Sequence, residues 1–148
     1  MCIETGITLA CEGSSESWFD AKKIERAFYN LLLNAAQAVS PHSGKIEVSI
    51  RNKQDNLDIC VADDGTGIPI TIRDRLFEPF VSHGKENGTG LGLTIVQKII
   101  EDHCGKLTVE CSDAIRTVFK ITLPVSLNSG ISSAAREEGS ATSSSARA

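Results

Sequence analysis

Hydrophobic and polar residues alternate in five short stretches of the chain, a period of two that is typical of half-buried β-strands. One stretch lies near the N-terminus, and the other four form two pairs, each joined by a short polar turn. The alternating apolar positions are Ile3, Ile7 and Leu9, then Ile46, Val48 and Ile50, then Leu57, Ile59 and Val61, then Leu107, Val109 and Cys111, and finally Phe119, Ile121 and Leu123. Each pair is predicted to form an antiparallel hairpin.

Two longer stretches carry apolar residues at helical spacing. The first follows Asp20, which stands at an N-cap position, and ends before Pro41. The second opens at Gly90 and is predicted to stop at Gly105. Residues 71–77 are predicted to form a short helix, and the segment HGKENGTG that follows is too rich in glycine and polar residues for regular structure.

The order of predicted elements is strand, helix, strand pair, helix, strand pair. This order predicts an α+β fold, a two-layer α/β sandwich with the helices on one face of a mixed, largely antiparallel sheet. The folded domain is predicted to span residues 1–124. Residues 125–148 are rich in Ser and Ala, cannot offset the entropy of ordering, and are predicted to form a flexible tail.

Composition narrows the possible functions. The chain has 148 residues, a net charge of −4 and 5% aromatic residues, so it offers neither the basic patch nor the stacking platform that nucleic acids need. No apolar run approaches the roughly 20 residues that span a bilayer. The five cysteines include no C-x-x-C pair, which favours reduced thiols over a disulfide framework or a zinc site.

Two asparagines, Asn30 and Asn34, lie about one turn apart on the margin of the first long helix. At about 3.6 residues per turn they are roughly 40° apart around the axis, so they share one stripe. Carboxamides in such a stripe could present ligands to a cleft, or they could be solvated and make local hydrogen bonds. The spacing alone leaves both interpretations open.

The segment VADDGTGIP leaves a predicted strand at Asp63 and contains Gly65 and Gly67. Glycines permit backbone torsions and close approaches that a side chain would prevent. An ionised carboxylate only accepts hydrogen bonds, so Asp63 could select the amino group of adenine over the carbonyl of guanine. The same pattern also occurs in plain turns, and by itself it is a weak signal.

The segment GTGLGL, from Gly88 to Leu93, opens the second long helix after a glycine-rich loop. Backbone N–H groups at a helix N-terminus attract phosphate oxygens, and Lys85 in the preceding loop could add a positive charge. The segment lacks the GKS or GKT of a P-loop, and it does not follow a strand as the dinucleotide-binding glycine motif does. Alone, it is also a weak signal.

Taken together and in order, these motifs resemble the ATP-binding catalytic domain of sensor histidine kinases, within the superfamily that includes gyrase and the heat-shock chaperone and mismatch-repair ATPases. NLLLNAAQAV resembles the N box, DDGTGIP the first glycine box, LFEPF the F box and GTGLGL the second glycine box, while TVFKITLP resembles the final strands. The resemblance covers about residues 5–124. Four ordered motifs with compatible spacing rarely coincide by chance.

The resemblance implies roles for individual residues. Asn34 would bind Mg²⁺ through its side-chain oxygen, Asp63 would bind adenine, and Thr117 would support Asp63 through water. Asn30, Asn34 and Lys85 would be the catalytic residues. The residues expected around the base and the phosphates are Gly65, Gly67, Ile68, Lys85, Gly88, Thr89, Gly90, Leu91 and Gly92. The implied cofactors are ATP and Mg²⁺.

Some positions depart from the family pattern or need separate interpretation. Asp64 stands where asparagine is usual, and its extra charge is tolerable only if the side chain faces solvent. Gln37 stands where many members carry Lys or Arg toward the phosphates, so the grip on phosphate would fall more on Lys85. Phe77 and Phe80 are expected to anchor the glycine-rich loop rather than touch the nucleotide.

The ATP-hydrolysing relatives carry a glutamate four residues before the metal-binding asparagine, and this chain carries Asn30 there. An amide cannot act as a general base, so the resemblance implies transfer of the γ-phosphoryl group to a histidine on a separate dimerisation domain. His42, His83 and His103 do not resemble the family's phosphoacceptor segment and are interpreted as surface or loop histidines. The implied partners are that dimerisation domain and, indirectly, a response regulator.

Two alternative functions stay open. An anti-sigma-factor-like serine kinase works mainly by binding protein partners, but it usually has glutamate at the position of Asn30 and lacks an F box. A switch ATPase, which dimerises on binding nucleotide, is disfavoured by the same Asn30. We expect the isolated domain to be a cytoplasmic monomer with no nucleic-acid or membrane contact, either alone or as the cytosolic part of a longer, membrane-anchored kinase.

Overall fold

A computed structural model gives the fold, and it describes residues 7–13, 17, 19–81, 89–112 and 116–125. In chain order the elements of the described residues are β1 (Thr8–Glu12), α1 (Ala21–Ala38), β2 (Lys45–Lys53), β3 (Asn56–Asp63), α2 (Ile70–Arg73), α3 (Gly92–Asp102), β4 (Lys106–Ser112) and β5 (Arg116–Pro124). In these ranges, no helix combines the length and the apolar character needed to cross a membrane.

The strands form one five-stranded sheet in the order β1-β2-β3-β5-β4. β1 runs parallel to β2, and the other neighbouring pairs are antiparallel. Both predicted hairpins, β2–β3 and β4–β5, are therefore present, and β5 lies between β3 and β4. The predicted mixed, largely antiparallel sheet is confirmed.

The core lies between one face of the sheet and the helices. β5 alternates strictly, with every second residue from Thr117 to Leu123 buried, so its period of two matches the burial of one sheet face. α1 and α3 bury one stripe each against that face. The largest fully buried side chains are Leu31, Val61, Val96, Ile100, Ile121 and Leu123.

The boundaries of α1 follow the predicted signals. The side chain of Asp20 accepts a hydrogen bond from the backbone N–H of Lys23 at 3.2 Å, so Asp20 is the N-cap. The last helical residue, Ala38, comes three positions before Pro41, which is consistent with a helix that stops ahead of a proline.

Two shorter elements differ from the predictions. β1 continues to Glu12, and Leu9 is 50% exposed because the strand forms an edge of the sheet; residues 1–6 lie outside the described residues. The predicted helix over 71–77 is only the four-residue α2. After Arg73 the chain turns through bonds that span three residues, including the N–H of Leu76 to the carbonyl of Arg73, which replace regular α-helical bonds.

At the end of α3, Gly105 has a different role from the predicted one. The left-handed residue after the helix is Cys104, with φ of +56°, and the N–H groups of Cys104 and Gly105 bond the carbonyls of Glu101 and Ile100. Gly105 is required for space, because a Cβ there would lie 2.6 Å from Leu123 Cδ2. The helix therefore ends in a Schellman motif whose left-handed position carries a cysteine.

Cys104→Gly is expected to raise the free energy of unfolding by about 0.5–1 kcal/mol, because glycine adopts the left-handed conformation without steric cost. Thermal unfolding monitored by circular dichroism measures the change. Cys104→Ala is the matched control, since it removes the thiol but keeps a Cβ at the same φ. Equal stabilisation by both variants would contradict the steric explanation.

His103 links the ends of the two long helices, a role that its sequence position does not reveal. Its Nδ1 donates to the carbonyl of Ile99 at 2.7 Å, and its Nε2 accepts from the backbone N–H of Asp20 at 3.2 Å. Its ring also meets that of Phe19 edge to face, with centroids 5.8 Å apart. His103 thus fastens the start of α1 to the end of α3.

The predicted boundary between domain and tail falls near the last described residues. Val125 donates its backbone N–H to the carbonyl of Asp55 at 2.8 Å, which extends the contact of β5 with the β2–β3 turn by one residue. The rest of the predicted tail, 126–148, lies outside the described residues.

Candidate functional site

The candidate site lies at the end of the sheet where β3 finishes and β5 begins. Asp63, the last residue of β3, is directly opposite Thr117 of β5. Asp63 is 4% exposed and Thr117 is 3% exposed, although both are polar. Directly opposed residues of an antiparallel pair lie on the same sheet face, so this face carries a buried carboxyl beside a buried hydroxyl.

Burial is the main influence on the charge of Asp63. It raises the pKa of the Asp63 carboxyl, and the nearby Asp64 carboxylate acts in the same direction. The backbone N–H of Gly65, which donates to Asp63 Oδ1 at 3.0 Å, acts against this rise in the pKa. The charged form is therefore incompletely compensated in the unliganded protein, as expected of a carboxylate that receives a further donor from a ligand.

Asp64 points away from this buried pair. Its Oδ1 accepts from the backbone N–H of Lys45 at 2.8 Å, and its own N–H donates to the carbonyl of Lys45 at 3.1 Å. The residue is exposed, so the condition for tolerating an acid at this position is met. The two bonds also fix the loop after β3 to the start of β2.

The glycines after β3 let the loop cross the end of α1. A Cβ at Gly65 would lie 2.5 Å from the carbonyl oxygen of Ala38, and the N–H of Thr66 donates to that oxygen at 3.2 Å. Gly67 adopts φ of +73°, a conformation that favours glycine. Ile68, the next residue, packs against the core.

α1 places its two asparagines against the start of α3. Asn30 and Asn34 are both partly buried. A Cβ at Gly92, the first residue of α3, would lie 3.9 Å from Asn30 Oδ1 and 4.0 Å from Asn34 Nδ2. The structure therefore brings together the predicted asparagine stripe and the second glycine motif.

The first N–H groups of α3 receive no hydrogen bond from the side chain of the N-cap residue. The N-cap residue is Leu91, whose apolar side chain cannot accept a hydrogen bond from the first N–H groups of the helix. Before it, Gly90 has φ of +68°, and Thr89 is exposed. Uncapped backbone donors at a helix N-terminus form an environment suited to an anion, and the carboxamide groups of Asn30 and Asn34 lie beside them.

Backbone contacts join Phe80, which precedes the glycine-rich loop, to Gly90, which follows it. The N–H of Phe80 donates to the carbonyl of Gly90 at 3.0 Å, and a Cβ at Gly90 would lie 2.6 Å from the carbonyl carbon of Phe80. Phe77 packs against the core, in agreement with its predicted anchoring role. Phe80 is 78% exposed, and its contact with Gly90 is made by the backbone.

Two predicted site residues, Lys85 and Gly88, lie outside the described residues. Thr94 belongs to none of the sequence motifs, and its hydroxyl donates to the carbonyl of Phe77 at 3.0 Å. Its only sequence signal is its place directly after the GTGLGL segment.

A metal ion at this site would have a side-chain amide oxygen as its protein ligand. Among the described residues no group of three or more His, Cys, Asp or Glu side chains is placed to hold a metal ion. The side-chain oxygen of Asn34 is a hard donor of the kind that Mg²⁺ accepts, and Mg²⁺ is commonly bound by one or two protein oxygens together with substrate phosphates. The donor set therefore fits a Mg²⁺ ion that arrives with a phosphate ligand.

The sequence match defines the family. Residues 19–127 match the family described as "Histidine kinase-, DNA gyrase B-, and HSP90-like ATPase", and the chain belongs to it. Within that family, the relatives and structural neighbours identify the chain as an ATP-binding catalytic domain of the kind found in sensor histidine kinases.

Two curated relatives are a little over 40% identical to this chain where they align. The histidine kinase/phosphatase NtrB of Rhodobacter capsulatus is 42% identical over 121 residues, which cover 72% of this chain and 33% of the relative. Sporulation kinase E of Bacillus subtilis is 43% identical over 110 residues, which cover 74% of this chain and 15% of the relative. The chain thus spans a third or less of these two proteins.

Solved structures share the fold over most of the chain. The catalytic domain of histidine kinase ThkA superposes with a TM-score of 0.73 at 32% identity, covering 82% of this chain and 81% of that one. The mycobacterial sensor histidine kinase MprB gives a TM-score of 0.73 at 28% identity, covering 80% and 84%. The predicted α+β sandwich therefore matches known histidine kinase structures.

Proposed function

We propose that this chain binds Mg-ATP and transfers its γ-phosphoryl group to a histidine of a separate dimerisation domain in two-component signalling. The observation that carries the proposal is the buried pair of Asp63 and Thr117 at the strand end, in the same domain as a pair of asparagines set against an uncapped helix N-terminus. The pair at the strand end suits a nucleotide base, and the asparagines beside the helix N-terminus suit phosphates.

Asp63 would recognise adenine. Its carboxylate accepts the exocyclic amino group, whereas the carbonyl of guanine would leave two acceptors facing each other. Thr117 would support the carboxylate through a water molecule, and Gly67 and Ile68 would lie beside the base. Gly65 is needed for packing against Ala38, and it would also supply the backbone N–H that orients Asp63.

The phosphates would lie between α1 and the start of α3. Thr89, Gly90, Leu91 and Gly92 would provide backbone N–H groups, with Gly88 and Lys85 acting from the preceding segment. Mg²⁺, when bound, neutralises phosphate charge and polarises the γ-phosphoryl group. Asn34 would hold that ion through its amide oxygen, and Asn30 would contact the phosphate end without acting as a base.

Transfer is favoured over hydrolysis by the chemistry of Asn30. An amide does not take a proton from water, so the domain lacks a general base at the position where a hydrolytic relative carries glutamate. Positioning and charge stabilisation supply the catalysis in phosphoryl transfer, and both are compatible with an acceptor brought by another domain. The partners would be a histidine-bearing dimerisation domain and, indirectly, a response regulator.

Calorimetric titration of ATP and GTP in the presence of Mg²⁺ tests the proposal. ATP is expected to bind about 10-fold or more tightly than GTP, because an unmatched buried polar group costs about 1–3 kcal/mol. The domain alone should hydrolyse ATP only at a background rate. Equal affinities for the two nucleotides would contradict the assignment of Asp63.

A further inference from the structure

Thr94 connects α3 to a segment that is distant in sequence. Its hydroxyl donates to the carbonyl of Phe77 at 3.0 Å, in a partly buried position. Thr94 is the third residue of α3, and Phe77 belongs to the turns that follow α2. The bond therefore joins the first turn of the helix to the chain that leads into the glycine-rich loop.

The Thr94 hydroxyl bonds a distant segment, although threonine in a helix has a common local acceptor. A threonine hydroxyl inside a helix often bonds the carbonyl four residues earlier, which here is that of Gly90. That carbonyl instead accepts from the N–H of Phe80, at 3.0 Å. Two bonds thus run in opposite directions between the same two segments, and together they fix the start of α3 relative to residues 77–80.

We propose that Thr94 is a positioning residue for the phosphate end of the site, an inference that rests on the proposed function. Its hydroxyl holds the first turn of α3, and with it the backbone of Gly92, at the observed distance from Asn30 and Asn34. The N-cap side chain, Leu91, cannot perform this task because it has no polar atom. Without the bond, the N–H groups that face the phosphates would lose their fixed direction.

The base end of the site does not depend on this bond. Asp63 and Thr117 are fixed by the pairing of β3 with β5, and Asp63 is further oriented by the N–H of Gly65. None of these contacts involves Thr94 or Phe77. Loss of the Thr94 bond should therefore weaken the binding of ATP much more than the binding of adenosine.

The experiment compares Thr94→Val, which keeps the shape but loses the hydroxyl, with Thr94→Ser, which keeps the hydroxyl. Thr94→Val is expected to weaken Mg-ATP binding about 3- to 10-fold, the loss expected for one hydrogen bond, with adenosine affinity unchanged. Thr94→Ser should restore most of the ATP affinity. Calorimetry measures ATP binding, and chemical-shift titration measures the weaker adenosine binding.

Thr122→Val is the matched control. The hydroxyl of Thr122 also donates to another segment, at 2.9 Å to Asp58 Oδ1, but this bond lies within the sheet and away from the site. The control should lower thermal stability and leave both affinities unchanged. If Thr94→Val weakens ATP and adenosine equally, or weakens neither, the positioning role is overturned.

Amide hydrogen exchange, measured without nucleotide, tests the role of Thr94 independently of the binding titrations. The hydrogen-bonded amides of residues 95–98, in the first turns of α3, should exchange faster in Thr94→Val than in the wild type, and Thr94→Ser should exchange like the wild type. Unchanged exchange in Thr94→Val would overturn the inference. A wild-type domain that binds no ATP would instead contradict the proposed function, and the exchange result would still stand.

Discussion

Replacing Asp63 with asparagine is expected to stabilise the unliganded domain at neutral pH and to weaken ATP binding by about 10-fold or more. The carboxyl is buried, and burial raises its pKa above the ordinary value of 3.8. Asparagine has a similar shape and its oxygen can still accept from Gly65, but it carries no charge. Its amide can present two donors to the amino group of adenine, so the charge-assisted bond is lost.

The sign of the pH dependence follows from the raised pKa. A group whose pKa is higher in the folded state stabilises the fold most fully below its unfolded pKa, and this contribution is lost as the pH rises through the folded pKa. At pH 7 the wild type therefore bears the full cost of the buried charge. The stability gained by Asp63→Asn should shrink as the pH falls through the raised pKa of the folded state towards the unfolded value of about 3.9.

Thermal unfolding at pH 4 and pH 7, with and without Mg-ATP, measures both effects. Asp64→Asn is the control, because Asp64 is exposed and an amide oxygen can keep the bond to the N–H of Lys45. It should change ATP affinity little. An Asp63→Asn variant that loses stability at pH 7 would show that the carboxylate supports the fold. Retained ATP affinity in this variant would contradict the role of Asp63 in adenine binding.

Replacing Asn34 with alanine is expected to lower the rate of phosphoryl transfer by about 100-fold or more, because it removes the side-chain oxygen that, under the proposed function, would bind Mg²⁺ beside the γ-phosphoryl group. Adenosine should still bind, since Asp63 and Thr117 belong to other elements. Asn34→Asp retains an oxygen donor and should keep part of the activity. This pair of variants separates metal binding from folding.

The assay supplies the domain with a histidine-containing dimerisation domain and γ-labelled ATP. The expected product is an acid-labile, base-stable phosphohistidine on the partner. Glu25→Ala, an exposed substitution on the same helix, should leave transfer unchanged. Acid-stable phosphoserine on a partner would favour the anti-sigma-type serine kinase, and rapid hydrolysis by the domain alone would favour the switch ATPase.

Local patterns predicted much of the fold. The N-cap Asp20 and the stop before Pro41 bound α1 correctly, because both effects act within a few residues. The hairpins follow from alternation along single strands, which directly reports burial of one sheet face. The motif around Asp63 was recognisable for the same reason, since the strand end and its glycine loop are contiguous in sequence.

Contacts between distant segments were not predictable. The bond from Thr94 to Phe77 and the bond from Asp20 to His103 join residues 17 and 83 positions apart, and neither leaves a periodic signal. The contact of Gly65 with Ala38 likewise depends on how α1 and β3 meet. At the end of α3, a rule that favours glycine predicted the wrong residue, because the bonding pattern placed Cys104 in the left-handed position.

The course of β5 separates two ends of the domain. From Thr117, which lies opposite Asp63, the strand runs seven residues to Pro124 beside the β2–β3 turn, so at about 3.3 Å per residue these two residues are roughly 23 Å apart. A dye attached at the exposed Asp55 in that turn would report on a fluorescent nucleotide by energy transfer without touching it. Nucleotide occupancy could then be followed while the candidate site itself stays unlabelled.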